Sequence, residues 1–142
     1  MLSLFLVALA SATLLPGGSE VWLARQWCAG EPVMLLWAVA TAGNSLGSLV
    51  NVALGRYARH FQHRRWFPAS PRSMARAEAW YRGVGEWSLL LSWAPLVGDA
   101  LTVVAGVLRL AWWRAVLWIV LAKGARYAVL LLLARAWLMP LC

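Results

Sequence analysis

The chain alternates between long uncharged stretches and one basic middle segment. Residues 1–19 and 32–55 contain no charged side chain, whereas residues 56–86 are hydrophilic. Two further apolar segments follow, at 87–108 and 111–140. Because about 20 apolar residues are enough for a helix to cross the hydrocarbon core of a bilayer, the stretch 32–55 predicts one transmembrane helix and the last segment predicts a second.

Two of the apolar segments are interrupted near their middle by residues that break helices. The first segment contains Pro16, Gly17 and Gly18, and the third contains Pro95 and Gly98. Proline inside a helix removes a backbone hydrogen bond and clashes with the preceding turn, and neighbouring glycines favour a turn. We therefore expect each of these segments to form two short helical arms that meet at a turn, not one straight span.

These two interrupted segments also resemble each other. In "LLPGGSEV", Glu20 follows Pro16 by four residues, and in "SWAPLVGDAL", Asp99 follows Pro95 by four residues. Interrupted segments at corresponding positions of two halves are typical of transporters built from repeats. We interpret the chain as a single membrane domain, residues 1–142, with a first half at 1–55, a connector at 56–86 and a second half at 87–142.

Composition indicates that lipid surrounds much of this domain. The 142 residues are 63% hydrophobic and 13% charged, with a mean hydropathy of +0.68, whereas a soluble domain carries about a quarter charged residues. The net charge of +8 comes largely from arginines in the connector: Arg56, Arg59, Arg64, Arg65, Arg72, Arg76 and Arg82. A basic cluster beside hydrophobic spans marks the cytoplasmic side, so we expect a basic, membrane-surface connector and no nucleic acid partner.

The same charge rule suggests how the segment 87–108 is placed. If this segment crossed the membrane, Arg109 and Arg114 would lie outside; if it turned back at 95–99, both would remain in the cytoplasm. Non-helical backbone at membrane depth is tolerated where protein or water surrounds it. We therefore predict an all-α integral membrane protein with two inverted re-entrant helical hairpins, each followed by a transmembrane helix. In the connector, Pro71 opens an amphipathic helix suited to anionic headgroups.

Four charged side chains fall where lipid would otherwise surround them. Lys123 and Arg126 lie near the middle of the last segment, where each basic residue costs roughly 2.5–3.5 kcal/mol on insertion and the apolar residues together return about 5 kcal/mol. Both should therefore face a partner, a water-filled cavity or an anionic ligand. Glu20 and Asp99 would lie at the hairpin tips. These four, with Asn51, are our candidate path for a substrate or ions.

Structural roles remain open for the two acids. Each can stabilise the N-terminus of the helix that follows it. Glu20 and Asp99 can also pair with Lys123 or Arg126 as structural ion pairs. These roles are compatible with the path, because a capping carboxylate can still exchange a proton.

Small residues recur every four positions in the predicted span 32–55. Gly43, Gly47, Asn51 and Gly55 place a small and polar stripe on one helix face. Such a stripe lets another helix approach closely in a membrane. We interpret the three glycines as packing residues and leave both a packing and a ligand role open for Asn51.

Catalytic chemistry finds little support in the sequence. There is no G-x-S-x-G, H-E-x-x-H or P-loop motif, and five acidic residues and two histidines offer few groups for a site. His60 and His63 have no cysteine or acid beside them, so we expect no metal, no cofactor and no enzymatic activity. Cys28 and Cys142 suggest no disulfide framework.

Five stretches carry a resemblance to a known family. They read "LLPGGSEV" at 14–21, "GNSLGSLVNVALGR" at 43–56, "SWAPLVGD" at 92–99, "AGVLR" at 105–109 and "KGARY" at 123–127. Together they resemble the DedA family, also called the SNARE-associated or VTT-domain superfamily, and in particular its short YqaA-like branch. The resemblance extends over essentially the whole chain.

This resemblance implies a multi-pass protein of the bacterial inner membrane with two facing re-entrant hairpins. It also implies lipid movement between leaflets, either of a polyprenyl phosphate carrier or of phospholipids, and it places Glu20 where the family keeps its first membrane acid. Larger members resemble an "RFxPxxR" pattern in the second hairpin, but here Ser92 and Gly98 stand where the arginines would be. That departure removes two phosphate-contacting charges. We expect Lys123 and Arg126 of the last segment to supply positive charge in their place.

Two functional hypotheses remain. The favoured one is an inner-membrane transporter that translocates or scrambles a lipid or an anionic lipid carrier, with proton coupling as an option. The alternative is a non-transporting membrane scaffold or accessory subunit for membrane homeostasis, in which the intramembrane charges hold partner helices. A homodimer that completes the cavity is compatible with both.

Overall fold

The computed structural model describes residues 1–13, 18–61, 71–93 and 97–137, and every element in these ranges is helical. The elements are α1 (Leu2–Thr13), α2 (Gly18–Cys28), α3 (Val33–Ala58), a short 3-10 turn (Arg59–Phe61), α4 (Pro71–Val84), a 3-10 arm (Glu86–Trp93), α5 (Val97–Val107) and α6 (Trp112–Trp137). The all-α prediction is thereby confirmed for these ranges.

Two of the helices are long and apolar enough to cross a membrane, namely α3 and α6. Each has 26 residues, which at 1.5 Å per residue amounts to about 39 Å, more than the roughly 30 Å of a hydrocarbon core. By contrast, α1, α2 and α5 have 12, 11 and 11 residues, or about 18 Å or less. The two predicted spans therefore exist as continuous helices, and the other apolar helices are too short to cross alone.

Each interrupted segment forms two separate helices, as expected. Of the predicted breakers, Gly18 is the first residue of α2 and Gly98 is the second residue of α5, so both lie at the start of the second helix of their pair. The other predicted breakers, Pro16, Gly17 and Pro95, lie outside the described residues. We call α1 with α2 the first helical pair, and the 3-10 arm with α5 the second helical pair.

The first helical pair is antiparallel. Near the start of α1, the Ser3 hydroxyl accepts hydrogen bonds from the Trp22 indole N–H and the Gln26 amide N–H of α2, each at 3.3 Å. The N-terminus of the chain therefore lies at the same end of the molecule as the last turn of α2 and the start of α3.

The central helix α3 packs against α1, α5 and α6. A methyl group on Gly43 would lie 2.6 Å from the Phe5 carbonyl oxygen of α1, and one on Gly47 would lie 2.5 Å from that of Leu9. Gly55 instead meets α5, at the Val103 carbonyl oxygen. The glycine stripe thus faces two different helices, one along each half of α3.

Two arginines of the connector hold the corner between α5 and α6 and do not simply point into solvent. Arg59 Nη1 donates to the Val107 carbonyl oxygen at 2.7 Å, and Arg56 donates to that of Leu110. Carbonyl groups at a helix C-terminus lack helical partners, so cationic donors stabilise them. The sequence placed both arginines in a basic membrane-surface group, whereas the structure uses them to fasten the α5–α6 corner.

The rest of the basic group divides in two. Arg72, Arg76 and Arg82 are exposed on α4, which begins at Pro71 as the sequence indicates. Arg64 and Arg65 lie outside the described residues. At the other end of the molecule, Cys28 is disulfide-bonded, which corrects the expectation for that cysteine, whereas Cys142 lies outside the described residues.

Candidate functional site

An ion pair joins the first helical pair to α6. The Arg126 guanidinium donates to Glu20 Oε1, across 106 positions of sequence. The Arg126 side chain is 13% exposed and that of Glu20 is 30% exposed, so the pair is partly buried and still reachable from the surface. Glu20 lies in the first turn of α2, where a carboxylate also interacts favourably with the helix dipole.

The neighbouring residues form a second contact between the same two helices. The Tyr127 hydroxyl donates to Ser19 Oγ at 2.8 Å, and both side chains are buried. Consecutive residues of α2 therefore meet consecutive residues of α6, once through charges and once through hydroxyls. This double contact determines where Arg126 sits relative to α2.

A buried amide extends the polar cluster onto α1 and α3. Asn44 Nδ2 donates to Ser11 Oγ at 2.9 Å and to the Ala8 carbonyl oxygen at 3.2 Å. The Tyr127 phenol also lies near the Asn44 and Ser11 side chains. Four helices thus contribute to one polar cluster: Ser11 from α1, Ser19 from α2, Asn44 from α3 and Tyr127 from α6.

Lys123 lies one helical turn before Arg126 on α6 and is 2% exposed. The same turn is held against α3 by Trp37, whose indole N–H donates to the Gly124 carbonyl oxygen at 2.9 Å. A buried ammonium is retained only where other groups offset its desolvation. Lys123 therefore belongs to the interior of the helix bundle, whereas Arg126 faces a groove.

The groove beside Arg126 is apolar apart from the ion pair. It has a volume of about 700 Å³ and is lined by Glu20, Leu90, Leu121, Ala122, Ala125, Arg126, Val129, Leu130 and Leu133. We call it the Arg126 groove. A second groove, of about 290 Å³, continues along α6 to Trp137 and shares Glu20 with it.

Together the two grooves follow α6 from Leu121 to Trp137. That length of helix is about 24 Å, most of the roughly 30 Å thickness of a hydrocarbon core. An amphipathic molecule fits such a surface, with its chain along the apolar walls and its charged group at Arg126. The arrangement is suited to binding and to the exchange of one anion for another at Arg126.

Of the five predicted path residues, the structure brings Glu20 and Arg126 into contact. Lys123 lies one turn away, and Asn51 donates to the Ala12 carbonyl oxygen of α1 at 2.9 Å, a contact that fastens the first helical pair. Asp99 lies in α5, but its side chain is outside the described residues, as is that of Ser92.

Sequence reasoning missed the uncharged members of the cluster. Ser11, Ser19, Asn44 and Tyr127 drew no attention because none of them carries a charge. The available signal was the placement of polar residues inside uncharged stretches, and the position of Tyr127 directly after Arg126 in "KGARY". Within the described part of the chain, no three histidine, cysteine or acidic side chains group together as metal ligands.

Comparison with known proteins gives close relatives. The chain is 41% identical over 129 residues to "Inner membrane protein YqaA" of Escherichia coli K12, with 89% of this chain and 85% of that protein covered. The protein of the same name from Shigella flexneri matches equally. An "Uncharacterized protein" of Haemophilus influenzae is 38% identical over 144 residues, with 96% and 88% covered.

No protein-family model and no solved structure matches the chain. The relatives nevertheless align over most of both lengths at about two identical residues in five. Two helices long and apolar enough to cross a bilayer agree with the printed description of the Escherichia coli and Shigella flexneri relatives. The chain therefore belongs to the family of the inner membrane protein YqaA.

Proposed function

We propose that this protein moves an anionic lipid between the leaflets of the bacterial inner membrane. The observation that carries the proposal is the Glu20–Arg126 ion pair, which lies in an apolar groove along a membrane-length helix. Charged side chains at membrane depth are expensive and mark substrate or ion paths. The proposed movement makes and breaks no covalent bond, so it requires no catalytic group and no cofactor.

The proposed placement is multi-pass, with α3 and α6 crossing the membrane and both helical pairs re-entrant. The short lengths of α1, α2 and α5 support it, since none of them reaches across a hydrocarbon core alone. The quoted motifs support membership of the DedA superfamily, in which such hairpins face each other.

The proposed mechanism is an exchange of anions at Arg126. In the resting state, the Glu20 carboxylate satisfies the guanidinium. Arginine binds phosphate as well as carboxylate through its fork of N–H donors, so a lipid phosphate can replace the Glu20 carboxylate while the lipid chains lie in the groove. Lys123 adds positive charge one turn away, which lowers the cost of a phosphate in hydrocarbon.

Proton coupling fits the same exchange. When the phosphate takes Arg126, the displaced Glu20 carboxylate loses its partner, and a proton removes its charge. Glu20 would return that proton when Arg126 is recaptured. The same role is open to Asp99, whose place in the second half corresponds to that of Glu20 in the first.

The test is leaflet exchange in proteoliposomes of fluorescent phosphatidylglycerol, phosphatidylcholine and polyprenyl phosphate. We expect the wild-type chain to accelerate exchange of at least one anionic lipid tenfold or more over empty vesicles. Arg126→Gln should remove most of this acceleration, and Glu20→Gln should remove its dependence on a proton gradient. The Asp99→Asn and Lys123→Gln variants are measured in the same exchange assay.

Arg135→Gln is the matched control, because Arg135 lies on the same helix but is exposed. It should leave exchange unchanged. Equal exchange by Arg126→Gln and wild type would contradict the mechanism. No exchange of any lipid by folded protein, together with a stoichiometric partner of another sequence in mild detergent, would establish the scaffold alternative; a homodimer is detected in the same preparation.

A further inference from the structure

A further groove opens on another face of α6 and shares no lining residue with the Arg126 groove. It has a volume of about 610 Å³. We call it the outer groove, because it lies at the C-terminal end of α6, away from α4. Its walls include Trp27 of α2, Trp37 of α3, and Ala128, Leu131, Leu132 and Arg135 of α6.

Packing between the helices holds the walls of the outer groove in place. Leu131 is 4% exposed and belongs to the same core cluster as Leu4 and Tyr127. The Trp37 indole is fixed by its hydrogen bond to the Gly124 carbonyl oxygen, and a methyl group added to Gly124 would lie 3.3 Å from the Trp37 ring. The outer groove is therefore formed before any ligand arrives, as binding sites for small molecules usually are.

Arg135 is the charged residue of this otherwise apolar lining. Its side chain is exposed and makes no hydrogen bond or ion pair with any residue in the described ranges. The neighbouring rim is apolar and open, since Met34 is 75% exposed and Leu132 is 67% exposed. A cation at one end of an apolar groove is suited to an amphiphilic molecule that carries an anionic group.

The depth of the groove matches one leaflet of the bilayer in the proposed membrane placement. Along α6, Arg114 and Arg135 are about 32 Å apart, close to the roughly 30 Å thickness of a hydrocarbon core. With Arg114 at the cytoplasmic surface, Arg135 lies at the level of the opposite headgroups. From there the groove extends about 10 Å inward to Ala128, in the direction that the chains of an outer-leaflet lipid take.

We propose that the outer groove binds one anionic phospholipid of the outer leaflet, with its phosphate at Arg135 and an acyl chain along Leu131 and Leu132. Arginine binds phosphate through its fork of N–H donors, and tryptophans such as Trp27 are typical of the headgroup level. A zwitterionic lipid also brings a positive group to Arg135, so the site should prefer a lipid with net negative charge.

A second copy of the chain is a poorer occupant than an anionic lipid, because each copy carries a net charge of +8. The inference rests on the proposed membrane placement of α6 but not on the proposed lipid movement. The bound lipid stays in the outer leaflet and takes no part in the exchange of anions at Arg126.

Native mass spectrometry of the full chain in mild detergent measures which lipids remain bound. The protein is mixed with dioleoyl phosphatidylglycerol or, separately, with dioleoyl phosphatidylcholine. We expect the wild type to retain phosphatidylglycerol about fivefold better, the effect of one basic side chain near an anionic lipid surface. Arg135→Gln should lose this preference, and Arg135→Lys, which keeps the charge, should retain most of it.

Matched variants separate the groove from general effects of charge and size. Arg25→Gln removes an exposed arginine at the same end of the molecule that does not line the groove, and it should bind lipid as the wild type does. Ala128→Trp fills the inner end of the groove and should lower retention of both lipids. Leu117→Trp is its control, because Leu117 is exposed on α6 outside the groove.

An Arg126→Gln variant distinguishes the outer groove from the Arg126 groove. Phosphatidylglycerol that is retained by the wild type and by Arg126→Gln, but not by Arg135→Gln, supports the outer site. If Arg126→Gln alone loses the preference, the bound lipid lies in the Arg126 groove, and the outer site is overturned. If leaflet exchange is absent while the Arg135-dependent lipid is retained, the proposed function fails and the outer site stands.

Three further results would overturn the outer site. They are equal lipid preference in the wild type and Arg135→Gln, an equal loss in Arg25→Gln, and no retained lipid in any folded variant. A dimer in the same spectra that Ala128→Trp abolishes would make a second copy the occupant and would also overturn it. If Ala128→Trp does not fold, the comparison of Arg135→Gln with Arg25→Gln decides alone.

Discussion

Arg109 is the non-glycine residue, among those described, whose backbone is left-handed, with φ of 57°. It follows α5, where Leu110 N–H donates to the Ala105 carbonyl oxygen at 3.1 Å and Arg109 N–H to that of Gly106 at 3.0 Å. This pattern is a Schellman motif, whose left-handed position usually holds glycine. An arginine there bears a steric penalty that its exposed side chain does nothing to relieve.

We expect Arg109→Gly to stabilise the protein. Glycine removes a left-handed penalty of about 1–2 kcal/mol and loses roughly half of that through the greater freedom of the unfolded chain. The midpoint of thermal unfolding in detergent should rise by about 2 °C. Arg109→Ala is the control, since it removes the same charge and keeps the penalty; an equal rise in both variants would show that charge is the cause.

At the candidate site, sequence reasoning found charges and missed hydroxyls for a physical reason. Glu20 and Arg126 stand out because a charge in an apolar segment is costly wherever its partner lies. Ser19 and Tyr127 carry no such cost on their own. Their hydrogen bond joins positions 108 residues apart, and periodicity within one helix contains no information about which residue of another helix it meets.

Among the elements, α3 comes close to its neighbouring helices because glycines without side chains lie at the contacts. Gly55 on α3 and Gly106 on α5 face each other's helices so closely that an added methyl would collide with backbone: Gly55 with Val103, and Gly106 with Val52. The helices therefore touch through their main chains. The sequence predicted the stripe at 43, 47 and 55, but it contained no sign that α1 takes one half and α5 the other.

Gly106→Ala should destabilise this contact. The methyl would have to displace the Val52 carbonyl group, and overpacking of this kind costs about 1–3 kcal/mol. Gly83→Ala, on the exposed α4, is the matched control because nothing lies within 4 Å of an added methyl. It should be neutral or stabilising by up to about 1 kcal/mol.

Thermal unfolding of both variants, followed by tryptophan fluorescence in detergent, checks the pair. A lower midpoint for Gly106→Ala alone is the expected result. If the two alanines shift the midpoint alike, the α3–α5 contact is looser than the structure indicates.

The lengths of the helices could be predicted from the lengths of the apolar runs. The contacts of Arg56 and Arg59 with the α5–α6 corner could not, because they depend on tertiary geometry that composition does not encode.

The whole molecule has two chemically different ends. Among the described residues, exposed arginines are more numerous at the α4 end, which carries Arg72, Arg76, Arg82, Arg109 and Arg114, than at the other end, which carries Arg25 and Arg135; such an excess marks the cytoplasmic side of a membrane. At the opposite end, Cys28 is disulfide-bonded, and disulfides persist in oxidising compartments such as the bacterial periplasm. Both observations favour the same orientation, with α4 inside and the N-terminus outside.

Labelling of single cysteines on cells tests this orientation. In a Cys28→Ser/Cys142→Ser background, Glu31→Cys lies in the exposed turn before α3, and Ala79→Cys lies on the exposed surface of α4. A membrane-impermeant maleimide should label Glu31→Cys on spheroplasts, and it should label Ala79→Cys only after lysis. The reverse pattern would invert the proposed topology and with it the assignment of the basic connector to the cytoplasm.

The division of α3 between α1 and α5 has an evolutionary consequence. Because α1 rests on Gly43 and Gly47 while α5 rests on Gly55, amino-acid changes at the contact of α3 with α1 need no matching changes at its contact with α5. The two contacts with the central helix α3 can then change separately in evolution. Relatives can therefore vary the contact of α1 with Gly43 and Gly47 while the contact of α5 with Gly55 is inherited unchanged.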